Sequence, residues 1–132
     1  MPRVLWPLRH HRPHIEITLP LAAGGQPLLR HLFADTGAGS LQSIFELVLA
    51  EADCLLCGGN ALQPVMLGGA YAGTFPIYGI SVRIPKLGFA LNLRAVGVPS
   101  APAGFDGIAC FKFLNRFQYG NFGNPSVFGL ES

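Results

Sequence analysis

A chain of 132 residues, half of them apolar, can bury one good hydrophobic core and is organised most simply as a single domain. Nine basic and seven acidic side chains leave a net charge of +2. Three of the basic ones, Arg3, Arg9 and Arg12, cluster near the start beside His10, His11 and His14, and elsewhere there is no basic face of the kind nucleic-acid binding requires. No run approaches the roughly 18 consecutive apolar residues of a membrane span, the first residues lack the apolar stretch of a secretion signal, and an odd number of cysteines suits a reducing compartment better than a disulfide framework. The expectation is a cytoplasmic protein with no nucleic-acid or membrane partner, built as a basic, solvated arm over residues 1–13 and one domain over 14–132.

In chain order, His14 to Leu19 alternates, with Ile15, Ile17 and Leu19 on one face and His14, Glu16 and Thr18 on the other, which predicts a half-buried strand. The Gly24-Gly25 loop joins it to a second strand, Leu28 to Ala34, in a hairpin. Ser43-Ile44-Phe45-Glu46 has capping-box spacing, and Phe45, Val48, Leu49 and Ala52 fall at i, i+3, i+4 and i+7, so a short helix is expected there. A weak strand from Ala61 to Leu67 leads into the small-residue tip Gly68 to Gly73. Tyr78 to Ile84 and Phe89 to Ala95 then alternate around a turn at Pro85 to Gly88 and read as an antiparallel pair. Gly107-Ile108-Ala109 is short and apolar, Cys110 to Phe117 has room for one or two helical turns, and the tail from Tyr119 reads as irregular or edge strand. The sum is a mainly β domain with one or two short helices, most simply a small closed barrel.

Only three aspartates occur in the chain, Asp35, Asp53 and Asp106. Asp35 stands where the apolar run Leu28 to Ala34 ends in a glycine turn, Asp35-Thr36-Gly37-Ala38. A carboxylate at the mouth of a buried strand costs several kcal/mol unless it is hydrogen-bonded or paired. One explanation is a turn cap made by the aspartate's own side chain; the other is chemistry.

The run Leu32-Phe33-Ala34-Asp35-Thr36-Gly37-Ala38-Gly39-Ser40, followed about 70 residues later by Phe105-Asp106-Gly107-Ile108-Ala109-Cys110-Phe111-Lys112-Phe113-Leu114, resembles the retropepsin-like aspartic proteases. The resemblance spans residues 14 to about 118 and implies a retropepsin-like acid-protease barrel. It also implies an endopeptidase acting on peptide or protein substrates, without cofactor or metal. That chemistry uses two carboxylates roughly 3 Å apart sharing one proton. A single Asp-Thr-Gly supplies one of them, so the resemblance implies a homodimer with Asp35 of each subunit meeting on the two-fold axis. Gly37 would donate its N–H to the carboxylate, Thr36 would lock the two loops together, and Ala38 would leave the cleft open. The tip containing Gly69, Ala70 and Tyr71 is the candidate flap over an extended peptide.

Two departures bear on activity. The family commonly carries glycine where this chain has Cys110, and an acidic residue where it has Lys112. A catalytically inactive dimerisation or peptide-binding module of the same fold is therefore a second expectation. A third is a zinc-binding protein using Cys54 and Cys57. As a redox pair those two thiols are poorly placed, because they follow a helix instead of opening one. His31 reads as a packed or edge histidine.

Overall fold

The computed structural model describes residues 2–132, with the side chain of Ala70 outside the description. Strands β1 (Arg3–Pro7), β2 (His14–Leu19), β3 (Leu28–Ala34) and β4 (Leu47–Ala50) precede helix α1 (Glu51–Leu56). Then come β5 (Ala61–Leu67), β6 (Gly73–Ile84), β7 (Phe89–Val98), β8 (Gly107–Ala109), helix α2 (Phe111–Leu114), β9 (Gln118–Gly120) and β10 (Val127–Glu131).

Seven strands form one sheet in the order β2-β3-β8-β4-β7-β6-β5, and a bridge between Thr18 of β2 and Arg83 of β6 closes six of them into a barrel. Alternation explains the hairpins. Ile15, Ile17 and Leu19 point inward and are fully buried, and Tyr78, Ile80, Val82 and Ile84 do the same from β6. The barrel interior they fill also takes Leu32, Leu47, Leu49 and Phe113. A second apolar cluster, Val48, Ile77, Val96, Val98 and Cys110, lies on the other side of the sheet.

Three expectations are corrected. Residues 45–50 are not helical: Leu47–Ala50 is strand β4, parallel to β7 and antiparallel to β8, and helix begins only at Glu51. The capping box does not form, since Ser43 accepts the N–H of Ser40 and Glu46 binds Arg116 instead. The first residues are not a solvated arm, because β1 pairs along its length with β10 and buries Val4 and Trp6. The tail is edge strand and irregular only in part: β9 is an edge and residues 121–126 lie outside any strand, but β10 is the central strand of a three-stranded sheet, β1-β10-β9, with Phe128 and Leu130 buried.

Two ion pairs tie separate segments together. Arg30 on β3 holds Asp53 of α1 through two bonds of 2.7 and 3.0 Å. Arg116, just past α2, holds Glu46 just before β4 through bonds of 2.6 and 2.8 Å. Both carboxylates are buried, where a planar, bidentate guanidinium is the fitting partner.

Candidate active site

The chain leaves β3 at Asp35, and the loop that follows is fixed from three sides. The N–H of Asp35 donates to the Ala109 carbonyl of β8 at 3.0 Å, that of Ala38 closes a turn on the Asp35 carbonyl, and that of Phe111 at the start of α2 donates to the Ala38 carbonyl. Inside this frame the Asp35 carboxylate accepts the N–H of Gly37 at 2.9 Å. A Cβ at Gly37 would stand 3.3 Å from that same carboxylate oxygen, so glycine is what keeps the approach open. Thr36 is exposed and Ala38 half-buried.

The other two aspartates are spent on structure. Asp53 is paired with Arg30, and Asp106 accepts the backbone N–H of His31 at 2.8 Å. Asp35 instead opens onto a cleft of about 810 Å³, and among the described residues it makes no ion pair. The cleft walls are mostly apolar, lined by Phe33, Phe45, Val48, Leu67, Tyr71 and Ile108. An apolar groove with one converging carboxylate has the character of a ligand-binding site.

The tip expected over Gly68 to Gly73 is the end of the β5–β6 hairpin, where Leu67 pairs with Gly73. Gly69, Ala70 and Tyr71 form a single turn of 3-10 helix, and Gly69 and Tyr71 line the same cleft as Asp35. The Tyr71 hydroxyl donates to the Ser100 carbonyl at 3.1 Å, which holds the tip against the Ser100–Pro102 connector. Of the candidates read from the sequence, Asp35, Gly37, Ala38, Gly69 and Tyr71 are thus brought to one cleft.

Sequence reasoning missed Arg12, Phe33 and Ser100 to Pro102, which share that cleft. Arg12 arrives because His10 and His11 both take positive φ, 53° and 63°, in a tight turn that bonds Arg9 to Arg12. Its guanidinium then lies 5.5 Å from the centre of the Phe33 ring. The one local signal was the two-residue spacer itself, and nothing in its sequence marks the strained turn.

Cys110 lies beneath the loop, 1% exposed, with its N–H on the Glu46 carbonyl. Lys112 is turned aside to the Ser43 carbonyl at 2.8 Å. Neither reaches Asp35 by a hydrogen bond among the described residues. Cys54 is buried within α1 and Cys57 caps its C-terminal end; no third ligand joins them in a metal-holding cluster among the described residues.

The buried thiols carry a pH dependence. Burial, with Asp35 and Glu46 nearby, pushes Cys110 up to about 12, and burial does the same to Cys54, from an ordinary value of 9.0. An unfolded chain releases these protons near pH 9 while the folded one retains them to about 12. Their contribution is therefore whole below pH 9 and drains between 9 and 12. Tyr78, whose hydroxyl donates to Glu51 at 2.7 Å, is likewise pushed up to about 12 from 10.0 and adds to the fall above pH 10. The expected melting temperature in reducing buffer is flat from about pH 7 to 8.5 and drops steadily above it, less steeply in Cys110→Ala; a flat profile to about pH 11 would contradict this account.

No protein-family model matches the chain, and no curated protein matches it. A solved structure does: a retropepsin-like aspartic protease from Rickettsia conorii superposes with a TM-score of 0.61, covering 97% of this chain and 89% of that one at 14% identity. The fold is retropepsin-like. At that identity the likeness is one of architecture, and it agrees with the mainly β barrel with one or two short helices expected from the sequence. In this retropepsin-like frame β3 delivers Asp35, β8 and the start of α2 bond its loop, and the end of the β5–β6 hairpin lines the same cleft.

Proposed function

We propose that the chain is an aspartic-type endopeptidase that works as a homodimer, with Asp35 from each subunit forming the catalytic pair. The observation that carries this reading is the position of Asp35: among the three aspartates it alone is left without a structural partner beyond its own turn, facing a mostly apolar cleft on a retropepsin-like fold. One carboxylate of the pair takes a proton from water as it attacks the peptide carbonyl while the other protonates the carbonyl oxygen, and the shared proton returns when the amine leaves. Chemistry that needs one shared proton on two carboxylates works in the singly protonated form, so activity is expected on the acid side of neutrality.

Thr36 and Gly37 are exposed beside Asp35, so the subunits are proposed to meet at this loop. The C-terminal strand is not available for that purpose, since β10 is flanked on both sides within its own chain by β1 and β9. Closing the two half-clefts would bring the Gly69–Tyr71 turn of each subunit over an extended peptide as a flap.

The deciding experiment is cleavage of a diverse peptide library between about pH 4 and 7 at increasing protein concentration. Expected is acid-side cleavage whose rate per chain rises with concentration as dimers assemble. The buried thiol of Cys110, set where the family commonly has glycine, favours a second reading, a peptide-binding module without hydrolysis. Peptides retained uncut by a folded protein across that range would select it.

A further inference from the structure

The pairing of β2 with β3 places Glu16 opposite His31 and His14 opposite Phe33, so His14, Glu16 and His31 share the face of the hairpin that points away from the barrel interior. The inner face carries Ile15, Ile17 and Leu19. Trp6 of β1 lies near this outer face, its ring 6.4 Å from that of His14. One donor atom from each of the three side chains lies within 4.8 Å of the other two.

The hydrogen bonding here is incomplete. Among the described residues, the buried side-chain nitrogens and oxygens without a partner are His14 Nδ1 and His31 Nδ1, and both belong to this cluster. His14 is 5% exposed. The Glu16 carboxylate is 3.7 Å from His31 Nδ1, too far for a hydrogen bond, and the two imidazole centres are 5.3 Å apart. Buried nitrogens are almost always satisfied, so two unsatisfied imidazole nitrogens in a cluster that also holds a carboxylate call for a partner that accepts lone pairs.

We propose that His14, Glu16 and His31 bind a divalent first-row transition ion, with Zn²⁺ as its simplest representative, at a site on the outer face of the β2–β3 hairpin. Two imidazoles and a carboxylate are a sufficient protein donor set for such an ion, leaving one position to water. Tetrahedral coordination at about 2.0–2.2 Å needs donors roughly 3.3 Å apart. The side chains of His31 and Glu16 are 23% and 35% exposed, and they have the freedom to close that gap onto the fixed His14. The ligand His31 is held from behind by Asp106, whose carboxylate accepts the His31 N–H and whose own N–H donates to the His31 carbonyl. The ion would clip β2 to β3 four residues before Asp35, and the site stands whether or not the chain hydrolyses peptides.

The test is calorimetric titration of the chelator-stripped protein with Zn²⁺ alone. Expected is one ion per chain with micromolar or tighter affinity and a raised melting temperature. His31→Gln and Glu16→Gln, both at partly exposed positions, are each expected to weaken binding at least about 10-fold while the metal-free circular dichroism stays unchanged. Cys57→Ser is expected to bind as the wild type does, and Co²⁺ in place of Zn²⁺ is expected to show visible bands without the near-ultraviolet band of a thiolate ligand. Absence of binding at about 100 µM Zn²⁺, binding by both ligand variants equal to that of wild type, or loss of binding in Cys57→Ser would each overturn the proposal.

Discussion

Gly107→Ala is expected to destabilise the fold by at least about 3 kcal/mol, lowering the melting temperature by roughly 10 °C or more. Gly107 opens β8, where it pairs with Leu32 of β3 on one side and Leu49 of β4 on the other. A Cβ built there would lie 2.2 Å from the Val48 carbonyl oxygen and 3.0 Å from a methyl of each of Leu32 and Leu49. The nearest atom is backbone in the middle of the sheet, so no side-chain rotation relieves the contact. Strand β8 would have to move away from β4, and the short ladders that join the two halves of the barrel would be lost with it. The displacement would also reach the site, because the Ala109 carbonyl of the same strand holds the N–H of Asp35. Urea unfolding of the variant beside wild type measures the effect; equal midpoints would show that the sheet has slack at this crossing.

How much of this was legible in the sequence depended on whether a segment answers to its neighbours or to distant chain. Strands β2, β6 and β7 are half-buried hairpin partners whose period-two alternation announces them, and β3 is announced by its apolar run bounded by turns. Strand β4 is different, since Leu47 and Leu49 face the barrel interior while Val48 faces the second cluster. A strand buried on both faces is a continuous apolar run, and Phe45, Val48, Leu49 and Ala52 satisfy helical spacing by accident of that run. What decided against helix was the slot between β8 and β7, which no local pattern reveals. The same holds for β1, whose partner β10 lies at the opposite end of the chain.

The site divides along the same line. Asp35 to Ala38 and the tip at Gly69 to Tyr71 carry their own signals, a glycine turn after an apolar strand and a small-residue hairpin end. Arg12 and Pro102 line the cleft only because the β1–β2 turn and the connector after β7 fold back to it. The His14, Glu16 and His31 cluster needed the register of β2 against β3, since His31 pairs with Glu16 across 15 positions of sequence.

Asp35→Asn is expected to reduce peptide cleavage on the order of 1,000-fold or more, equivalent to about 4 kcal/mol of barrier, while fold and dimer persist. Asparagine keeps the side-chain shape, and its carbonyl oxygen can still accept the Gly37 N–H that the carboxylate accepts at 2.9 Å. On the proposed mechanism it removes the capacity to take a proton from water, and with it the sharing of one proton between two subunits. The proposed homodimer adds a sharper consequence. A mixed dimer of one wild-type chain and one Asp35→Asn chain has a single carboxylate at the axis and cannot carry out both proton transfers. Adding the variant in excess to wild type under exchanging conditions should therefore suppress activity well beyond dilution, following the square of the wild-type fraction. Wild-type and variant proteins would be compared by peptide cleavage at the acid optimum, with sedimentation to verify equal assembly. Linear instead of quadratic loss would mean that each chain acts alone, and full activity in Asp35→Asn would remove Asp35 from the chemistry altogether.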